Sequence, residues 1–286
     1  MKMLHLISNL GSRVITFYRL KRILNQVTPP FLFNLLIFIY RKLRGTSQDT
    51  RYIQTDKTDN IDFESLNYVS TNPVFSICAS QIRHHGGQAY NSIQHHFVAY
   101  YQDGINALRA YYSHHQPKTV YQKHFIFNHN GQQTALPWLV DSNSILVGEH
   151  GLKANHGHSA YGPVSDKKIK LEARRLDLCL SSLDANGYIV ERSFPKENNG
   201  YPRGYFLVTK SGDWVFRVVG GKHRVATLVW LGWENIPVCC EPNFPKCIFE
   251  AEIKNWPGVV SGEYTEEDAK LIFDSYFRDA SVKLWK

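Results

Sequence analysis

The first 45 residues contain no aspartate and no glutamate, although eight of the chain's 33 lysines and arginines lie there. The other 25 basic residues equal the 25 acidic ones, so residues 46–286 are formally neutral. A broadly basic surface, which is typical of proteins that bind nucleic acid, is therefore not indicated for the body of the protein. The whole charge imbalance belongs to an N-terminal arm.

The chain also has few cysteines, and no two of them form a Cys-x-x-Cys pair. Their number, five, is odd, which argues against a disulfide framework and favours a reducing, cytoplasmic compartment. Cys239 and Cys240 are adjacent and would point to opposite faces of a strand, so they cannot jointly hold zinc there. We expect these cysteines to be small, buried apolar residues.

The arm lacks an apolar run long enough to cross a membrane. The run Phe31–Tyr40 is about ten residues long, whereas a membrane-spanning helix needs about twenty. A secretory signal does not fit either, because basic residues interrupt the apolar positions and no small-residue cleavage site follows. Two interpretations of residues 1–45 stay open: a basic amphipathic segment on the inner, anionic face of a membrane, or a helix packed on the domain with its basic face in water.

Three segments follow from these patterns: the arm at 1–45, a region rich in histidine and tyrosine at 46–148, and an α/β segment with a C-terminal helix at 149–286. Helices are predicted near 90–113, from Ser165 or Asp166 to Asn186-Gly187, at 225–231, and after a capping box formed by Thr265 and Asp268. Strands are predicted at 188–190, 205–208, 214–219 and 236–240. The predicted class is therefore α/β (α+β).

Residues 217–224 read RVVGGKHR, in which an apolar strand meets a glycine pair and three basic residues. Gly220 and Gly221 permit unusual backbone angles and the close approach of another group. A helix that begins near Lys222 would direct unpaired N–H groups and the positive end of its dipole at the turn. Cations are unfavourable at a helix N-terminus unless something negative lies there. The pattern predicts a phosphate site.

The stretch VVGGKHRVATLVWLGWENIPV resembles the ParB/sulfiredoxin superfamily, whose members carry a strand, a G-x-H-R or G-x-R-R turn, a helix and an "IPV" strand. The resemblance extends upstream to Gly162-Pro163-Val164 and Arg175-Leu176, and it covers roughly residues 160–242. It implies a small mixed-sheet domain that binds nucleotide phosphates. Known relatives reduce sulfinic acids with ATP, form CTP-dependent DNA clamps or phosphorylate small molecules.

The resemblance also implies roles for individual residues. The cofactor would be ATP or another nucleoside triphosphate, with Mg²⁺. Lys222 stands where sulfiredoxins carry the reactive cysteine, so cysteine-based reductase chemistry is not expected. The predicted phosphate-binding residues are Gly220, Gly221, Lys222, His223, Arg224 and Arg175.

Phosphoryl transfer further requires a base or a metal-holding carboxylate near the acceptor. We predict Glu172 and His223 as the catalytic residues. The alternative for Glu172 is an exposed helix carboxylate paired with Arg175 or Lys168. Other carboxylates remain candidates for the catalytic role: Glu149, Glu191 and Glu197.

Histidines and aromatic residues offer two further alternatives. His156 and His158 could share a zinc ion if they lay on a strand. No third ligand is evident in the sequence, so no metal site is predicted. Residues 150–162 could instead line the nucleotide site. Five aromatic residues are predicted to be core or surface residues rather than a stacking platform: Tyr101, Tyr111, Tyr112, Tyr121 and Trp138.

The sequence thus predicts a nucleotide-binding protein that transfers phosphate to a small molecule or sugar precursor, in a setting of surface-polysaccharide synthesis. Whether the domain is catalytic stays open. The alternatives are a non-catalytic, nucleotide-gated binding protein and a nucleic-acid binder of the ParB type. The expected location is the cytoplasm, with contact to the inner membrane surface through residues 1–45.

Overall fold

The computed structural model describes residues 61–68, 73–139, 152, 154–158, 160–188, 200–242 and 244–285. The arm at 1–45, the strand predicted through 190 and three candidate carboxylates, Glu149, Glu191 and Glu197, lie outside these residues. The chain divides into two compact units, Met1–Tyr52 with Leu180–Ile189, and Ile53–Cys179 with Val190–Lys286. The site described below lies wholly within the second unit.

The described residues form eight α-helices and six strands. The helices are α1 (Phe63–Leu66), α2 (His96–Asp103), α3 (Ile105–His114), α4 (Val120–Lys123), α5 (Asp166–Asn186), α6 (Lys222–Trp230), α7 (Pro257–Val260) and α8 (Glu266–Asp274). The strands are β1 (Val74–Cys78), β2 (Ile82–Arg83), β3 (Arg203–Val208), β4 (Trp214–Gly220), β5 (Asn235–Cys240) and β6 (Cys247–Phe249). The mixed α/β class agrees with the expectation from sequence.

The six strands form one mixed sheet in the order β1-β5-β3-β4-β2, with β6 also paired to β3. Strands β3 and β4 form an antiparallel hairpin in which Phe206 faces Phe216. The other edge of β3 is shared, because its start pairs in parallel with β5 and its end with β6. Strand β3 therefore lies at the centre of the sheet, and β4 delivers the glycine pair to one end of it.

Local capping signals predicted the ends of the long helices. The Ser165 hydroxyl accepts a hydrogen bond from the backbone N–H of Lys168 at 3.1 Å, and Gly187 follows the last residue of α5. In the same way, the Thr265 hydroxyl accepts from the N–H of Asp268 at 3.0 Å before α8 begins. These caps satisfy N–H groups that have no partner inside the helix.

The single helix predicted near 90–113 was wrong, because the chain forms α2 and α3 instead. Gly104 separates them with φ 71° and ψ −156°, a conformation that lies outside any helix and that suits glycine. The helix after the glycine turn begins at Lys222, as the turn predicts, and ends at Trp230, whereas the apolar positions alone predicted 225–231.

The core covers both faces of the sheet. One cluster contains Tyr205, Trp138 and Phe273, and on the opposite face Phe206 contacts the ring of Phe216, with centroids 5.0 Å apart. The predicted core aromatics Tyr111, Tyr112, Tyr121 and Trp138 are buried, whereas Tyr101 is half-buried. The adjacent residues Cys239 and Cys240 are free thiols and both are buried, as predicted. Within the described ranges, no helix has the length and hydropathy required to cross a membrane.

Candidate functional site

The glycine turn connects β4 directly to helix α6. Gly221 is the N-cap residue of that helix, in the left-handed conformation with φ 80° and ψ 20°, and as a glycine it has no side chain with which to cap the helix. A Cβ atom at this position would lie 2.8 Å from the Cα of Pro202, so both the backbone angle and the space require glycine. The first hydrogen bond within the helix runs from the backbone N–H of Val225 to the carbonyl oxygen of Gly221, at 3.1 Å. The N–H groups before it point out of the helix, where an anion is favoured.

His223, in the first turn of α6, is held on two sides. Its Nε2 atom is hydrogen-bonded to a carboxylate oxygen of Glu172. Its ring stacks on Phe97, with centroids 4.5 Å apart and planes inclined by 19°. The side chain is still 24% exposed, and its Nδ1 atom has no hydrogen-bond partner among the described residues. The imidazole is therefore oriented and presents Nδ1 as its accessible nitrogen.

Glu172 is completely buried, which corrects the alternative of an exposed carboxylate. The same carboxylate is contacted by Lys168 Nζ at 3.1 Å and by Arg175 Nη1 at 2.9 Å, one turn before and after it on α5. Lys168 is itself only 1% exposed. The predicted pairing of Glu172 with Lys168 or Arg175 is thus found with both residues. Three partners thus surround this carboxylate, and its contact with His223 fixes the orientation of the imidazole ring.

The remaining predicted residues lie around the turn. Arg224 donates a hydrogen bond from Nη1 to the carbonyl oxygen of Gly200, the residue before the loop that leads into β3. Gly220 leaves room for another side chain, since a Cβ there would lie 3.4 Å from the guanidinium of Arg203. The structure therefore places Lys222, His223 and Arg224 on one helical turn beside the carboxylate of α5.

The histidine pairs at 84–85 and 95–96 lie beside this turn; the sequence predicts them only as loop or substrate-pocket histidines, without placing them here. Burial lowers the pKa of His84 well below its usual value, and the neighbouring His95 and the charge of Lys222 lower it further. The pKa of His95 is lowered by burial first and then by Lys222 and His223. Both imidazoles are therefore neutral near pH 7. The density of histidines in this segment was the only signal in the sequence.

His156 and His158 do not form the zinc pair that was considered from sequence. His156 Nδ1 is hydrogen-bonded to the hydroxyl of Ser165 at 2.8 Å, and His158 Nδ1 accepts from the N–H of Ala160 at 3.1 Å. No three metal-ligating side chains are grouped suitably for a metal ion in the part of the chain that the structure describes. The His158 ring centroid lies 6.1 Å from that of His85, so this segment approaches the histidine cluster instead.

No family model, no curated protein and no solved structure matches the chain. The resemblance to the ParB/sulfiredoxin superfamily over residues 160–242 accordingly stays a prediction.

The buried ion pairs of Glu172 give a prediction for stability. Glu172→Ala removes the carboxylate that the buried Lys168 contacts at 3.1 Å, which should lower the free energy of unfolding by about 3–5 kcal/mol. Urea denaturation measures this change. Asp166→Ala is the matched control, because it removes a carboxylate from the same helix whose ion pairs with Arg109 and Lys170 are exposed. That loss should be much smaller, because water screens exposed ion pairs. Equal losses in the two variants would contradict the assignment.

The neutral buried histidines give a prediction for pH. Burial is the main cause that lowers the pKa of His84, His95 and His124. Below about pH 6.5 these histidines bind protons in the unfolded chain but stay neutral in the folded protein. The free energy of unfolding is therefore highest above that pH and decreases as the pH falls. Between about pH 7.5 and about pH 5.5 the free energy of unfolding should therefore decrease, by on the order of 1 kcal/mol for each histidine that stays neutral. Urea unfolding at both pH values tests this, and His95→Asn should reduce the pH dependence without abolishing it, because other buried histidines such as His85 and His115 also have a lowered pKa. Equal stability at both pH values would contradict it.

Proposed function

We propose that the protein binds a nucleoside triphosphate at the turn Gly220–Arg224 and transfers its terminal phosphoryl group to a hydroxyl of a small molecule or sugar precursor. The observation that carries this proposal is the position of His223. It combines an oriented, partly exposed imidazole with the start of a helix whose N-cap residue is the glycine Gly221. A phosphate and a general base would thus meet on one helical turn.

The contact with Glu172 supports the role of His223 as a base. A carboxylate that accepts the Nε2–H holds the imidazole in the tautomer whose Nδ1 carries a lone pair. Nδ1 would remove the proton from the acceptor hydroxyl as its oxygen bonds to the terminal phosphorus. The bond from that phosphorus to the bridging oxygen then breaks, and the nucleoside diphosphate leaves. Glu172 stabilises the imidazolium that forms.

The charges around the turn support the binding of phosphate. Lys222 and Arg224 add cations to the positive end of helix α6, an arrangement that is unfavourable without an anion. An arginine also matches the geometry of phosphate oxygens with two parallel donors. Mg²⁺ would enter on the phosphates and neutralise their charge. Glu172 does not fit as its ligand, because the carboxylate is already contacted by Lys168, Arg175 and His223.

The order of elements supports a ParB/sulfiredoxin-like domain. Strand β4, the glycine turn, helix α6 and strand β5 follow one another as the resemblance implies. Under this proposal the protein works in the cytoplasm, and residues 1–45 bring it to an anionic membrane surface where glycan precursors are made. Cosedimentation with anionic vesicles tests that part separately.

Lys222 should contribute to nucleotide affinity. Lys222→Met removes a charged donor next to the helix start, so the affinity for ATP or CTP with Mg²⁺ should fall about tenfold to a hundredfold. Isothermal titration calorimetry measures the change. Lys210→Met is the matched control, because Lys210 is exposed in the turn between β3 and β4. The proposal fails if neither nucleotide binds.

Salt-dependent DNA binding that survives deletion of residues 1–45 would favour the nucleic-acid alternative.

His223 should contribute to the chemical step. His223→Gln keeps an amide donor for Glu172 but has no basic nitrogen, so kcat should fall about 10²- to 10⁴-fold with little change in nucleotide affinity. Release of nucleoside diphosphate in the presence of polyol acceptors measures turnover. Glu172→Gln should lower kcat less and shift its pH profile, since that residue acts through His223. Tight nucleotide binding without any turnover by the parent protein would favour the nucleotide-gated alternative.

A further inference from the structure

His84 and His95 lie side by side in the interior, and neither side chain is exposed to solvent. Their ring centroids are 4.7 Å apart. The Nε2 atom of each ring has no hydrogen-bond partner within the described residues. A buried polar atom without a partner is costly, and native structures rarely contain two such atoms on adjacent rings. The pair therefore points to a bound polar group.

The hydrogen bonds of the Nδ1 atoms assign the proton of each ring. Gln88 donates from its amide nitrogen to the carbonyl of Gln94 at 2.6 Å, which identifies its Oε1 atom as an acceptor. His84 Nδ1 lies 3.3 Å from that oxygen and must carry the proton of the neutral ring. His84 Nε2 is consequently a lone-pair acceptor.

His95 has the opposite tautomer. Its Nδ1 atom accepts a hydrogen bond from the backbone N–H of Phe97 at 3.2 Å, as the N-cap of helix α2. The single proton of the neutral ring is therefore on Nε2, which is a donor. The pair thus presents one acceptor, on His84, and one donor, on His95. Two such atoms complement a group that both donates and accepts.

A chain of ring contacts connects this pair to the candidate catalytic histidine. The His95 and Phe97 centroids are 5.5 Å apart, and Phe97 stacks on His223. Lys222, on the same turn as His223, is close enough for its charge to act on both His84 and His95. The pair therefore lies beside the turn that we propose to bind phosphate.

We propose that His84 and His95 bind a hydroxyl group of the phosphoryl acceptor, which makes that acceptor a polyol. The hydroxyl donates to His84 Nε2 and accepts from His95 Nε2–H. Its only proton is used in this contact, so the hydroxyl that His223 deprotonates is a second one on the same molecule. An ammonium group could satisfy only His84, and a carboxylate only His95. The role as acceptor subsite depends on the proposed function, whereas the recognition of a hydroxyl does not.

Nitrogen-15 NMR of the histidine side chains in the full chain tests the pair without nucleotide. We expect His84 to be protonated on Nδ1 and His95 on Nε2. Methanol should shift the Nε2 resonances of both rings, because it donates and accepts. Methylammonium, of similar size, should affect His84 alone, and formate His95 alone.

Variants make the test specific. His84→Asn keeps a donor in the position of Nδ1 for Gln88, and His95→Asn keeps a helix cap, so each removes Nε2 with little other change. Either variant should abolish the methanol shift of the remaining ring. His115→Asn is the matched control: His115 is buried and stacks on Phe125, as His95 stacks on Tyr90, and the pKa of His115 is lowered to about 4 by burial alone. This variant should keep both shifts.

Two results would overturn the inference. Identical tautomers on the two rings would remove the donor–acceptor pair. No response to methanol would show that the pair holds a water molecule only. Neither result depends on nucleotide binding or turnover, so failure of this inference and failure of the proposed function are distinguishable. A methanol response in a protein that does not turn over ATP or CTP would retain the hydroxyl site and remove its role as a phosphoryl acceptor.

Discussion

The buried carboxylate of Glu172 is the group on which the rest of the site depends. A carboxylate with no exposure to water is stable only if other groups replace its hydration, and Lys168, Arg175 and His223 do so. Two of these partners come from its own helix, but His223 comes from the turn after β4. The same contact that satisfies the charge therefore fixes helix α6 to α5 and orients the imidazole.

Two kinds of polar side chain, cationic and neutral, lie near the contact between Glu172 and His223. Lys222 and Arg224 are cations at the start of a helix, whereas burial and the charge of Lys222 keep His84 and His95 neutral. A cationic turn suits phosphate, and neutral imidazoles with opposite tautomers suit a hydroxyl. The two proposed ligands, nucleotide and polyol, correspond to this division.

Local features could be predicted from the sequence and long-range contacts could not. The caps at Ser165 and Thr265 and the strands β3, β4 and β5 follow from neighbouring residues, and they were predicted within a few positions. The break at Gly104 was missed because apolar periodicity continues across it. Glu172 was considered an exposed carboxylate as one alternative, since helical spacing shows its neighbours at three and four positions but not the residues that cover it.

The sequence by itself determined the glycine turn, its basic residues and the neutral charge of the body, because backbone angles and residue types are local properties. Only the tertiary structure decided that Glu172 meets His223 and that His84 and His95 lie beside Lys222. These contacts join segments separated by 51 residues in the first case and by more than a hundred in the second. Periodicity encodes which side of an element is buried, whereas the partner that buries it depends on how the sheet and its helices pack.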